Sequence, residues 1–173
     1  RDTAPFSDLD LMILHDRRGG DADKKVIDRL VREFFDVRLM VGHSVRTPGE
    51  AASLAGDDPV ICSSLLESRL IVGDQSLYQT FTERFARSVQ PKTRSLLLGI
   101  DRERNQEKRE HGGTVHLLEP NVKRSSGGLR DLQMIRWLGW LRFGTAELEA
   151  LVQPKFLEED DARELAEARD FLL

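Results

Sequence analysis

The sequence predicts an α/β fold in residues 1–73 and a mostly helical region in residues 74–173. Two patterns predict this organisation. In the first region, apolar residues alternate along two short stretches and recur at helical spacing between them, as in a strand–helix–strand unit. In the second region, the longer segments show helical spacing and one short piece is extended. We therefore expect a small α/β core followed by a helical domain.

The elements of the α/β core follow from these patterns. A first strand is predicted over residues 8–14, where alternate positions are apolar. After a polar loop that contains glycine, a helix is predicted from about Asp23. A second strand is predicted to begin at Asp36, with Val37, Leu39 and Val41 on one face. If the two strands pair, they form the sheet of the core.

Thr47 is the expected cap of a short helix, because proline at position 48 suits the first helical residue. Residues 57–74 fit either a helix or a strand. The spacing of leucines favours a helix, which Gly73 would end. Further elements are predicted as helices over 76–89, from Pro91 to about Gly112, over 125–144 and over 158–173, and as an extended piece over 114–122.

The composition excludes several classes of protein. Of the 173 residues, 39% are hydrophobic and 32% are charged, which is typical of a globular domain with a polar surface. The apolar runs are far shorter than the ~20 residues of a membrane helix. A net charge of −4 offers no general attraction for nucleic acid. The single cysteine, Cys62, is expected to be a buried structural thiol in a reducing, cytoplasmic compartment. The chain does not begin with methionine, so we expect a fragment of a longer protein.

Asp8 and Asp10 are the first candidates for a functional site. Residues two apart on a strand share a face, so the two carboxylates are expected to lie close together. Like charges at that distance repel unless a cation lies between them, and Mg²⁺ prefers carboxylate oxygens. Asp36 could add a third carboxylate from the second strand. The alternatives are a solvated strand end for the pair, and for Asp36 a place at the end of the preceding helix.

Two further stretches carry candidate binding residues. His43, Ser44 and Arg46 follow the second strand, where ligands bind in α/β sheets. Ser44 and Arg46 could contact a phosphate, whereas His43 is as plausible as a structural residue. Residues 119–133 join a Ser/Gly turn to a helix, and such a turn either cradles an anion or simply leads into the helix. Trp137 and Trp140 are expected in the core.

Four stretches together resemble one family. "PFSDLDLMIL", "FDVRLMVGHSVRT", "SSLLESRLIVGD" and "LLEPNVKRSSGGLRDLQ" occur in the order seen in the PII uridylyltransferase/uridylyl-removing enzymes of bacterial nitrogen sensing. The resemblance covers roughly residues 1–140. It implies a nucleotidyltransferase core like that of polymerase β, with a mixed sheet. It also implies Mg²⁺-dependent transfer of UMP from UTP to a tyrosine of the PII protein, with release of pyrophosphate.

The resemblance implies roles for individual residues. Asp8 and Asp10 would be catalytic metal ligands. Asp36 would be a candidate third metal ligand that helps to polarise the tyrosine hydroxyl. The residues implied to contact the nucleotide or its phosphates are Ser7, Ser44, Arg46, Lys123 and Arg130.

The sequence also departs from the family pattern. A Gly-Gly-x-Gly-Arg stretch would precede this chain, with Arg1 as its last residue, so we expect the fragment to bind UTP poorly. Arg124 replaces a frequent acid, and Met40 stands where a charged residue is expected. The family's HD and ACT domains would follow residue 173. The alternatives are a related nucleotidyltransferase with another acceptor, and a non-catalytic module whose helical half contacts other proteins.

Overall fold

The computed structural model describes residues 9–16, 20–39, 41–110 and 121–172. Ser7 and Asp8, most of the predicted extended piece over 114–122 and the end of the helix predicted to reach about Gly112 lie outside these ranges. The described strands and helices are β1 (Leu9–Leu14), α1 (Gly20–Asp36), β2 (Val41–Arg46), α2 (Pro48–Asp57), α3 (Pro59–Leu66), α4 (Gln75–Val89), α5 (Thr93–Glu110), α6 (Leu129–Phe143) and α7 (Glu159–Leu172). The mixture of strands and helices predicted from the sequence is confirmed.

The sheet contains two parallel strands within the described ranges. β1 and β2 pair in register, from Leu9 beside Val41 to Leu14 beside Arg46. Parallel neighbours need a crossover connection, which α1 provides. The predicted pairing of the two strands is therefore confirmed, whereas a mixed sheet stays a prediction.

The predicted start of β2 at Asp36 is wrong. Asp36 is the last residue of α1, and β2 begins at Val41. Arg38 has a left-handed backbone with φ 58°. The N–H groups of Arg38 and Leu39 donate to carbonyls of the last helical turn, at 2.9 Å and 3.0 Å. This is the Schellman arrangement that ends helices, and it places Val37 and Leu39 in an exposed turn.

The short helices follow their caps. Thr47 and Glu50 form a reciprocal capping box at the start of α2, as predicted for Thr47. Residues 57–74 contain helix α3, which confirms the favoured alternative, but α3 ends at Leu66 and Gly73 lies beyond it. Between them the chain is irregular, and the Tyr78 hydroxyl donates to the Ser68 carbonyl at 2.9 Å.

The four helices predicted in the second region are present as α4, α5, α6 and α7. α5 begins at Thr93, because Gln90–Lys92 form a tighter 3₁₀ turn. Gly144, with φ 78°, ends α6 in the left-handed conformation that favours glycine. None of the helices in the described ranges is long and apolar enough to cross a membrane.

The hydrophobic core is shared by α2 to α6. Its buried residues are Ala51, Ala55, Cys62, Phe81, Phe85, Val89, Leu96, Ile100, Trp137 and Leu141. Met12 and Leu14 of β1 pack against this cluster from the sheet. The predicted core positions of Cys62 and Trp137 are confirmed, and half-buried Trp140 packs against the same cluster. Helices on both sides of residue 73 therefore contribute to one core, and a domain boundary at that residue stays a prediction.

Candidate functional site

The register of the sheet brings three predicted site residues onto one face. Asp10 lies beside Gly42, and Ser44 and Arg46 are the next outward positions on the same face of β2. Paired residues of parallel strands point to the same side, so Asp10, Ser44 and Arg46 share the face that packs on the helices. A rise of about 3.3 Å per residue places Ser44 roughly 7 Å and Arg46 roughly 13 Å along the strand from the level of Asp10. Ser44 is therefore the nearer neighbour.

Gly42 lies directly beside the Asp10 carboxylate. A Cβ atom at position 42 would lie 3.0 Å from Asp10 Oδ1, closer than an ordinary van der Waals contact. Asp10 itself is exposed. An exposed carboxylate fits the chemistry of Mg²⁺, which takes one or two carboxylates and completes its shell with water and phosphate. Asp10 can therefore contribute to the predicted metal site.

The predicted third carboxylate, Asp36, belongs to α1 and not to the second strand. In the ranges that the structure describes, no three His, Cys, Asp or Glu side chains come together as a metal site. Asp36 is exposed at the end of α1, as in the alternative interpretation of that residue. Asp8 lies outside those ranges, so the predicted set of Asp8, Asp10 and Asp36 stays a prediction.

A cleft opens where both strands end. Its volume is about 670 Å³, within the range of about 300–1,000 Å³ typical of small-molecule sites. His15 and Asp16 follow β1 and contribute to its wall, opposite the first turn of α2. The Arg84 guanidinium of α4 reaches over Gly49, where an added Cβ would lie 3.1 Å from Nη1. Sequence reasoning missed Arg84, because its spacing on α4 is that of an ordinary solvated helix face.

The Ser/Gly turn before α6 uses its own backbone donors. The N–H groups of Lys123 and Arg124 donate to Asn121 Oδ1 at 3.0 Å and 2.9 Å. The Gly127 N–H donates to Asp131 Oδ2 at 2.9 Å. These groups are not available to an anion, so this turn is better explained as one that leads into a helix.

Arg104 holds this turn against the helices. Its side chain is buried, and its Nε lies 2.7 Å from Asp131 Oδ1 while Nη1 lies 2.9 Å from Glu107 Oε2. Nη1 also donates to the Arg124 carbonyl at 3.0 Å. Burial by itself raises the pKa of Asp131. Hydrogen bonds from Arg104, Gly127 and Lys108 lower this pKa by a larger amount, so the pKa of the carboxyl lies below its usual value. Asp131 is therefore charged and structural.

Arg130, a predicted nucleotide contact, already has protein partners. It donates to Gln133 Oε1 at 3.1 Å, lies 3.7 Å from Glu107 Oε2, and stacks over the Trp137 ring at 5.5 Å. Through these contacts Arg130 connects residues of α6 with Glu107 of α5. The nucleotide-binding roles of Arg130 and of half-buried Lys123 stay predictions. His43 is exposed on the opposite face of the sheet from Asp10, so it is not a buried structural histidine.

A parallel strand–helix–strand unit with a carboxylate on β1, followed by helices, is consistent with a nucleotidyltransferase-like region. Residues 100–173 match the family model described as GlnD PII-uridylyltransferase. The chain is 36% identical over 168 residues to the bifunctional uridylyltransferase/uridylyl-removing enzymes of Pseudomonas fluorescens (strain SBW25) and Azotobacter vinelandii (strain DJ / ATCC BAA-1303). It is 34% identical to that of Stutzerimonas stutzeri (strain A1501).

These matches cover 97% of this chain and 19% of each relative, so the chain spans about a fifth of their length. No solved structure matches it. The chain is a relative of the bifunctional uridylyltransferase/uridylyl-removing enzymes, and the resemblance predicted from the sequence is confirmed.

Proposed function

We propose that this chain is the nucleotidyltransferase region of a bifunctional uridylyltransferase/uridylyl-removing enzyme. In this proposal it transfers UMP from UTP to a tyrosine of the PII protein. The main support is the position of Asp10 on the sheet, with Gly42 beside it and Ser44 on the same face. The names of the relatives support the reaction class.

The reaction needs three contributions from the protein: metal ligands, donors to the phosphates, and a group that polarises the tyrosine hydroxyl. The tyrosine oxygen forms a bond to the α-phosphorus of UTP. The bond between the α-phosphorus and the oxygen that bridges it to the β-phosphate breaks, and pyrophosphate leaves with this bridging oxygen. Bound Mg²⁺ would neutralise phosphate charge, and Asp10, together with Asp8, would hold it. Ser44 would donate to a phosphate oxygen, and Arg46 would face the more distant end of the nucleotide. Asp36 stays the candidate that polarises the tyrosine hydroxyl, whose proton is lost in the transfer.

The metal role of Asp10 is tested by thermal unfolding with and without Mg²⁺ and UTP. In a chain extended by the glycine stretch that the resemblance implies, we expect Mg²⁺ with UTP to raise the Tm, because a ligand that binds the folded state stabilises it. Asp10→Asn, alone or with Asp8→Asn, should abolish the rise. Asp101→Asn is the matched control, since Asp101 is exposed on α5. If the extended chain shows no rise in Tm, the proposed function is wrong.

The acceptor and the nucleotide are separate questions. Incubation with each of the four nucleoside triphosphates, and with PII or unrelated tyrosine-containing proteins, distinguishes uridylyl transfer to PII from a related transferase with another acceptor. We expect label transfer from UTP to PII. Stable binding of a partner without transfer or metal dependence would favour the non-catalytic alternative.

A further inference from the structure

A second, smaller cleft lies between α6 and the segment that follows α3. Its volume is about 240 Å³. Glu67 and Arg69 line one side, and Arg136, Trp137 and Trp140 of α6 line the other. Because this volume is below the 300–1,000 Å³ typical of sites for whole drug-sized ligands, it fits a single ring rather than an entire nucleotide.

The polar groups of the cleft form a defined set. Glu67 Oε1 accepts a hydrogen bond from Trp137 Nε1 at 3.0 Å, which fixes this carboxylate at the wall. Arg136 is fixed by its Nε, which donates to the Ala146 carbonyl at 3.2 Å. Arg69 is exposed, and the structure gives its guanidinium no hydrogen bond or ion pair within the described ranges. One carboxylate acceptor and two guanidinium donors thus surround a small space.

The Trp140 indole ring gives the cleft a flat apolar wall. Trp140 is half-buried, and its ring is held by Phe85 at 5.4 Å between centroids. Trp137 is only 8% exposed and the Arg130 guanidinium lies over its ring, so Trp140 provides the stacking surface. A ring held in this way can stack on a planar ligand without losing much side-chain freedom. The cleft therefore combines a stacking surface with hydrogen-bonding groups at its edge.

We infer that this cleft binds the uracil ring of a uridine nucleotide, an inference that rests on the proposed function in its choice of base. The edge of uracil presents the acceptor O4, the donor N3–H and the acceptor O2. Guanidinium groups can donate to the two carbonyl oxygens, and a carboxylate can accept from N3–H, since its two oxygens can each accept more than one hydrogen bond. Cytosine presents an amino donor in place of O4 and an unprotonated ring nitrogen in place of N3–H. A guanidinium donor would then face the amino donor, and the carboxylate acceptor would face the ring nitrogen, which is also an acceptor.

Intrinsic fluorescence tests the site directly. The chain has two tryptophans, Trp137 and Trp140, and both line the cleft. Titration with uridine in the absence of Mg²⁺, excited at the red edge of the indole band, should give a saturable change in emission. Cytidine should bind about tenfold more weakly or worse, because it leaves polar groups of the site unpaired. Absence of a saturable change, or an equal response to both nucleosides, overturns the inference.

Two variants and a control assign the response to the cleft. Arg69→Gln and Glu67→Gln should each weaken uridine binding by about tenfold, as expected for loss of one charged hydrogen bond. Gln at 67 retains an oxygen for the Trp137 N–H. Arg102→Gln makes the same charge change at an exposed position of α5 and should bind uridine like the wild type. If both cleft variants keep wild-type affinity while their Tm values match the wild type, the cleft is not the site.

The uracil could belong to the substrate or to a second uridine nucleotide. The number of UTP molecules bound per chain with Mg²⁺ distinguishes these sources: one indicates the base of the substrate, and two indicate a separate site. The two proposals also fail separately. Uridine binding that survives in Asp10→Asn supports the cleft even where the Mg²⁺–UTP response is lost, and a metal-dependent response without uridine discrimination supports only the proposed transferase.

Discussion

Among single residues, Asp131 makes the stability of the fold depend on pH, because it is the charged partner of buried Arg104. Its folded-state pKa lies below the usual value of about 3.9, so its charged form stabilises the fold. This contribution is fully present above about pH 4 and is lost as the pH falls through the lowered pKa. We expect the free energy of unfolding of the wild type to fall on acidification below about pH 4 more steeply than that of Asp131→Asn, in urea titrations at each pH.

The Asn variant isolates this carboxyl. It retains an oxygen that can accept from Arg104 but loses the charge, so we expect a loss of about 1–3 kcal/mol at pH 7, as for a hydrogen bond to a charged group. The gap between the two proteins should narrow at low pH, where Asp131 is protonated. Asp170→Asn is the control, because Asp170 is exposed near the end of α7. A gap that does not change with pH contradicts the assignment.

Cys62 gives a second prediction for a single residue. Burial, with a smaller contribution from Asp58, raises the pKa of its thiol to about 12. The thiolate is the reactive form, so the native protein should react with an alkylating reagent at pH 8 far more slowly than a free thiol. Because the chain has one cysteine, mass spectrometry reports this site alone. Urea that unfolds the chain should restore rapid alkylation; rapid alkylation of the folded protein contradicts the buried position.

At the scale of elements, local sequence signals predicted those boundaries that local caps determine. Thr47 and Pro48 predicted the start of α2, and the reciprocal bonds of Thr47 and Glu50 explain why. The end of α1 was predicted wrongly, because the left-handed residue that ends this helix is Arg38, whereas glycine is the residue usually found at that position. The apolar alternation after Asp36 is typical of a strand, but the N–H groups of Arg38 and Leu39 donate to the last turn of α1 instead.

Some residues of the candidate sites follow from local sequence patterns, and others are brought together only by long-range contacts. Period-two alternation placed Asp10 on one face of the first strand, but Ser44 was predicted to follow the second strand, whereas it lies within β2 on the same face as Asp10. The cleft that contains Glu67 and Trp137 depends on a contact between residues far apart in sequence, which no local pattern carries. Arg84 was missed for the same reason, since α4 brings it to Gly49 only in the folded chain.

The pairing of β1 with β2 carries a functional prediction at position 42. Gly42→Val should remove the Mg²⁺–UTP rise in Tm, because a side chain there competes with the Asp10 carboxylate for space. Gly42→Ala, whose Cβ would lie 3.0 Å from Asp10 Oδ1, should give a smaller loss. Position 42 is exposed and β-branched residues suit strands, so the Tm without ligand should change little. A full rise in Gly42→Val would separate this glycine from the site.

For the whole molecule, the shared core predicts how the chain unfolds. Cys62 of α3 and Phe81 of α4 belong to one buried cluster although they lie on opposite sides of residue 73. Elements that share a close-packed core lose their packing together, so we expect one cooperative transition. Tryptophan emission reports α6, and far-ultraviolet circular dichroism reports all the helices. The two urea curves of the wild type should therefore coincide.

Phe81→Ala makes this prediction quantitative. The Phe81 ring is 1% exposed, and its removal should cost about 3–5 kcal/mol by leaving a cavity in the core. Because the cluster reaches both α2 and α6, the midpoints from both probes should shift by the same amount. Thr82→Ala, at the exposed neighbouring position of α4, should change the free energy of unfolding from either probe by no more than about 0.5 kcal/mol. If Phe81→Ala moves the fluorescence and dichroism midpoints apart, the regions before and after residue 73 unfold as separate domains, as the sequence predicts.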